Sequence, residues 1–140
     1  MRENAINLRI VAAVAVLISA GVHLYLWFDV FRHTNVIGPA FLLNTAGGVL
    51  IALLLVRWHH WIPLVLAVGF GVSTLGAFVI ASTAGLFGVH EHWTGWPVWT
   101  AAVSEVVAIA AGAVAMAHEL PARSGGQLED RLAVRRPHLH

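Results

Sequence analysis

Four apolar stretches, residues 10–28, 36–56, 61–87 and 97–117, take up most of this 140-residue chain. A helix rises 1.5 Å per residue, so about 20 residues cross a hydrocarbon layer of roughly 30 Å. Each stretch meets that length, and the third exceeds it enough to need tilt or an end that emerges. Short connections at 29–35, 57–60 and 88–96 make consecutive helices antiparallel neighbours. The fold this implies is all-α: a polytopic transmembrane up-down four-helix bundle spanning residues 1–118. Only 11% of the residues are charged, against about 25% in soluble domains. That is too few to coat a water-facing surface, which excludes a soluble globular domain, a nucleic-acid binder and a disordered chain. The first stretch starts like a signal peptide, but it runs on past the small-residue site at Ser19-Ala20-Gly21 to Phe28, so a retained helix is expected.

Where the charges fall predicts orientation. The cations are eight Arg and no Lys. With the N-terminus inside, Arg2, Arg9, Arg57, Arg123, Arg131, Arg135 and Arg136 are cytoplasmic and only Arg32 is outside. Both termini are therefore expected in the cytoplasm. Arg-only usage with abundant Ala and Val points to a GC-rich bacterium, and so to its plasma membrane. Trp27, Trp93, Trp96 and Trp99 fall at the outer boundary and Trp58 and Trp61 at the inner one, where indole rings prefer to sit. Residues 119–140 turn polar without an apolar stripe and predict a disordered cytoplasmic tail. The absence of Cys removes disulfides, thiolate metal sites and thiol nucleophiles.

Lipid gives helices no hydrophobic reason to associate, so close packing of small residues has to bring them together. Small or polar residues recur every third or fourth position: Ala15, Ser19 and His23; Ala40, Asn44, Gly48 and Ala52; Gly69, Ser73, Ala77, Ala81 and Gly85; Ala101, Glu105, Ala108, Gly112 and Ala115. These four rows are expected to converge on the bundle axis, with the third the most regular. His23 lies about 9 Å below the outer edge, and Asn44 and Glu105 about 12 Å below it. All three thus share one level and form a candidate ligand or proton site. An ionised carboxylate in mid-membrane costs about 2.5–3.5 kcal/mol or more, so Glu105 needs a partner. His23 is the expected one, with Asn44 and Ser104 behind it.

The outer connection carries a second candidate, His90-Glu91-His92, whose donors suit Zn or Cu. An extended segment would point His90 and His92 to the same side, although a solvated interfacial loop needs no metal. Haem requires two axial imidazoles; His23 supplies one, and His90 a second only if the third helix continues through Gly88. No cofactor is favoured. No H-E-x-x-H, G-x-S-x-G or phosphate-loop motif is present, and no catalytic residue is assigned.

Residues 21–27 (GVHLYLW), 37–44 (IGPAFLLN) and 85–91 (GLFGVHE) resemble a group of small four-span membrane proteins of GC-rich bacteria with no assigned activity. The resemblance covers about the first 118 residues and implies four spans and nothing about chemistry. Two functions follow from the sequence. In the leading one, the chain is a non-enzymatic or accessory bundle stabilised by a His/Asn/Glu cluster. The alternative is a transporter or a proton- or metal-handling protein with a polar site open to the exterior. The partners expected are the lipid bilayer and a second copy or a membrane complex, with no nucleic acid. A dry His23–Glu105 pair belongs to the first function, and a cavity between them to the second.

Overall fold

The computed structural model describes the backbone of residues 2–134 and the side chains of residues 3–120. It is built from four long helices: α1 (Arg2–Leu26), α2 (Ile37–Arg57), α3 (Trp61–Thr83) and α4 (Trp96–Val134). Each contains a segment long and apolar enough to cross a membrane. A π-helical turn, Trp27–Phe31, prolongs α1 and closes with the Arg32 N–H donating to the Trp27 carbonyl at 2.8 Å. Its wider winding turns Phe31 inward, where the ring is buried and packs on Phe41 at 4.6 Å between centroids. Glycine is required where α2 starts beneath this turn, since a Cβ on Gly38 would lie 2.5 Å from the Phe31 carbonyl oxygen.

Two boundaries differ from expectation. α3 stops at Thr83 rather than at 87. The Gly85 N–H bonds the Ile80 carbonyl at 3.0 Å, and Gly85, Phe87 and Gly88 all take positive φ. That is a left-handed helix cap followed by a tight turn, in which Leu86 and Val89 exchange backbone hydrogen bonds. Hydropathy counts Leu86 and Phe87 as span, but left-handed backbone cannot continue a right-handed helix. At the other end, the α4 backbone stays helical to Val134, where a disordered tail is expected from 119. Gln127, Leu128, Glu129, Arg131, Leu132 and Ala133 are good helix formers. A helix already nucleated in the span propagates through them without needing an apolar stripe. The rest of the expected tail, residues 135–140, lies outside the described residues.

α1 packs extensively along both α4 and α2, and α3 along α4, while α2 and α3 touch little. Contacting pairs run in opposite senses. Ser19 meets Glu105 and Arg9 meets Glu119 across α1 and α4. The Thr45 hydroxyl donates to the Ala20 carbonyl, and Cβ atoms on Gly71 and Gly112 would abut Ile109 and Val68 respectively. The core gathers toward the Arg9 end: Ala12, Ala13, Ala15, Val16, Ala52, Leu55, Leu64, Ala67, Phe70, Ala108, Ala111 and Ala115, eight of the twelve being alanine. Small side chains let the helix backbones approach and make the contacts that lipid would otherwise make.

The rows on α1 and α4 are buried as expected, apart from a half-exposed Ala101. The row on α3 is not, because Gly69 and Ser73 are exposed and α3 buries Leu64, Ala67 and Gly71 instead. Gly69 and Gly71 stand about 200° apart around a helix, so only one can face α4. A regular row of small residues gives no information on which side the neighbour stands.

Candidate functional site

The site begins with one turn of α1. His23 is buried, and its Nδ1–H donates to the Ser19 carbonyl at 2.8 Å. A carbonyl oxygen only accepts, so the proton sits on Nδ1, and in the neutral ring Nε2 is an acceptor. It has no hydrogen-bond partner among the described residues. The ring face is held by Phe41, 5.0 Å away between centroids.

Glu105 on α4 is 2% exposed. Its Oε1 accepts from the Ser19 hydroxyl at 3.0 Å, whereas Oε2 has no partner among the described residues. The expected His23–Glu105 pair is therefore replaced by a Ser19–Glu105 bond, with the Ser19 Oγ also 3.4 Å from His23 Nδ1. The reason is that the His23 Nδ1–H is committed to the Ser19 carbonyl, and the imidazole and the carboxylate face a shared cavity instead of each other. Ser19 stands four residues before His23, and that spacing on one helix face was the available signal. Ser104 turns back on its own helix and donates to the Ala101 carbonyl. Asn44 joins neither His23 nor Glu105. Its Nδ2 donates to the Thr74 hydroxyl at 3.4 Å, and Thr74 donates onward to the Phe70 carbonyl at 2.7 Å.

These groups surround open space. A cavity of about 420 Å³ lies between α2 and α3, with His23, Phe41, Asn44, Thr74 and Phe78 on its walls. Ligand pockets commonly measure about 300–1,000 Å³. Leu43, 73% exposed, and the exposed Ser73 stand at its edge, so it opens sideways where α2 and α3 part. A second cavity of about 240 Å³ adjoins it toward α4 and contains Glu105. His23, Phe31, Phe41, Thr74, Phe78 and Glu91 border both.

Glu91 comes from the connection between α3 and α4, held over the cavities by its N–H bonding the Ala81 carbonyl at 3.2 Å. Burial pushes its carboxyl above the ordinary carboxylate range, and neighbouring His92 partly offsets this. His90 and His92 go elsewhere. The His90 ring lies over Gly85, where a Cβ would come within 2.6 Å of it, and His92 is exposed. A tight turn at 86–89 precedes this segment, and its three side chains go to different places, so the three donors do not converge. Among the described residues no three His, Asp or Glu side chains are placed to hold a metal ion. With α3 ending at Thr83, His90 is also not carried on that helix as a second axial ligand to accompany His23.

At the opposite end Arg9 is 2% exposed, although the sequence places it at a wet boundary. Its Nε and an Nη donate to both Glu119 oxygens at 2.7 Å. The remaining donors reach the Trp58 and His60 carbonyls at 3.3 and 2.6 Å. One guanidinium thus ties together α1, α4 and the connection between α2 and α3. The signal was an Arg near the start of the first span and a Glu just past the end of the fourth. Antiparallel packing brings those to one level.

The chain matches no protein-family model, no curated protein and no solved structure.

Proposed function

We propose that this chain is a four-span protein of a bacterial plasma membrane, an up-down bundle with both termini cytoplasmic, that binds a small lipophilic molecule in its outer half. One observation carries the binding role: a cavity opens sideways between α2 and α3, with the imidazole of His23, whose Nε2 accepts from no described residue, on its wall. Among the described residues no fully buried polar side-chain atom lacks a partner, so Nε2 is reached from the cavity, where a bound donor can bond it. A sideways mouth in a membrane protein suits a molecule that arrives dissolved in lipid. The opposed register of contacting residues supports the up-down topology, and the Arg distribution supports the orientation. The Ser19–Glu105 bond favours a companion role, fixing α1 against α4, compatible with work as an accessory subunit or beside a second copy.

The test is native mass spectrometry of protein purified in lipid nanodiscs. Wild type should carry a small molecule, one per chain, and Ala77→Trp, which fills the larger cavity, should lose it. Equal occupancy in the two, or none in either, defeats the binding role. The Cys-free chain makes orientation easy to check: a membrane-impermeant maleimide added to intact cells should label His33→Cys and leave Asn4→Cys untouched.

A further inference from the structure

The cavity walls specify the ligand's charge, an inference that rests on the binding role just proposed. Three ionisable groups border the two cavities: His23 from α1, Glu91 from the α3–α4 connection and Glu105 from α4. α2 and α3 contribute Asn44 and Thr74 and nothing that titrates. Among the described residues no Arg is on either wall. Arg9 is committed to Glu119 and two carbonyls at the far end, and Arg32 donates to His33 in an exposed connection. Glu105, almost wholly buried, keeps Oε2 free on the smaller cavity, and no cation among the described residues bonds it.

Hydrogen-bonding capacity leans the same way. His23 Nε2 accepts, and the hydroxyl hydrogens of Thr74 and Ser73 are spent on helix carbonyls. The uncommitted donors are the second N–H of Asn44 and the Thr94 hydroxyl. Phe31, Phe41 and Phe78 turn ring surface to both cavities, and aromatic faces attract cations. An anion would meet two carboxylates. A neutral alcohol would satisfy the acceptors but offer no counter-charge to Glu105 once it ionises.

We infer that the paired cavities take an organic cation, an amine head with an apolar body, in exchange for a proton. The head sits against Glu105, Glu91 and His23 in the smaller cavity. The body lies in the larger one and reaches the mouth beside Leu43. Glu105 gives up its proton to water as the cation arrives, so net charge in the bundle is unchanged and no bond other than O–H breaks.

Two probes of the same shape test this on the purified full-length protein: benzyltrimethylammonium, a permanent cation, and neopentylbenzene, its uncharged isostere. Binding is read as the rise in unfolding temperature with ligand concentration, and proton release by a pH indicator in weak buffer. The cation should raise the midpoint of wild type and release about one proton per molecule bound. Glu105→Gln, which keeps an oxygen for Ser19 and so keeps the fold, should bind the cation at least about tenfold more weakly and release no proton. Glu91→Gln should weaken it less. Undiminished cation binding by Glu105→Gln overturns the inference, as does an equal response of wild type to both probes. If neopentylbenzene alone binds wild type, and Ala77→Trp abolishes it, the cation inference fails and the binding role stands. If neither probe binds, both fail.

Discussion

The bundle has two ends made from similar amino acids and built to opposite effect. Toward Arg9, alanines from α1, α2, α3 and α4 bring four backbones together, Leu55 and Leu64 fill what remains, and a guanidinium uses its donors on a carboxylate and two carbonyls. Toward His23 the same helices carry Phe31, Phe41, Phe70 and Phe78, and α2 and α3 part around the space between them. Rings hold helices apart where methyl groups let them close. Polar groups divide likewise. At the packed end Arg9 and Glu119 satisfy each other, whereas at the open end His23 Nε2 and Glu105 Oε2 face empty volume. The packed end therefore serves as a clamp, which lets the other end keep polar groups open to a cavity.

Breaking the clamp should have the largest effect. Removing one member of a buried ion pair costs about 3–5 kcal/mol. Since the Glu119 side chain is 19% exposed, Arg9→Met should sit at the low end, about 3 kcal/mol in denaturant unfolding. Adding Glu119→Leu should recover much of that loss. A double variant no more stable than Arg9→Met would mean the carbonyl contacts, and not the ion pair, hold this end.

Next in size is a matched pair of substitutions. Ala67→Leu overfills the core at a wholly buried position and should cost about 1–3 kcal/mol. Ala77→Leu on the cavity wall gains room and should change stability by less than about 1 kcal/mol. Equal costs would show that the open end closes up in solution. The smallest effect concerns pH. The folded Glu91 carboxyl titrates above its ordinary value of 4.5 because burial disfavours the charged form. Its contribution to stability is then full below 4.5 and declines as pH rises through the raised folded value. Wild type should lose a little stability across that window and Glu91→Gln should not; parallel pH profiles would place the carboxylate in water.

Much of the fold was legible because membrane crossing is a requirement on length and apolarity, both local properties of the chain. The level of the polar residues followed from the 1.5 Å rise, and His23, Asn44 and Glu105 do lie in the same half of the bundle. Their partners were not legible. His23 and Glu105 look complementary in a sequence, yet the imidazole N–H goes to the Ser19 carbonyl and the Ser19 hydroxyl takes the carboxylate. Glu91 drew notice as a metal donor, but successive side chains of its segment diverge, so Glu91 faces the cavities while His90 lies over Gly85 and His92 is exposed. Arg9 seemed a routine boundary charge until α4 supplied Glu119, 110 residues away.

The sequence by itself determined four helices long and apolar enough to cross a membrane, short connections and a level of polar groups within them, since each depends on residues within a single turn or helix. Tertiary structure alone decided which face of α3 is buried, which acceptors are left without donors, and that α2 and α3 stand apart. Those depend on how large side chains on different helices meet. Four phenylalanines from three segments of the chain prop the His23 end open, and no local pattern in any one segment records that they share a wall.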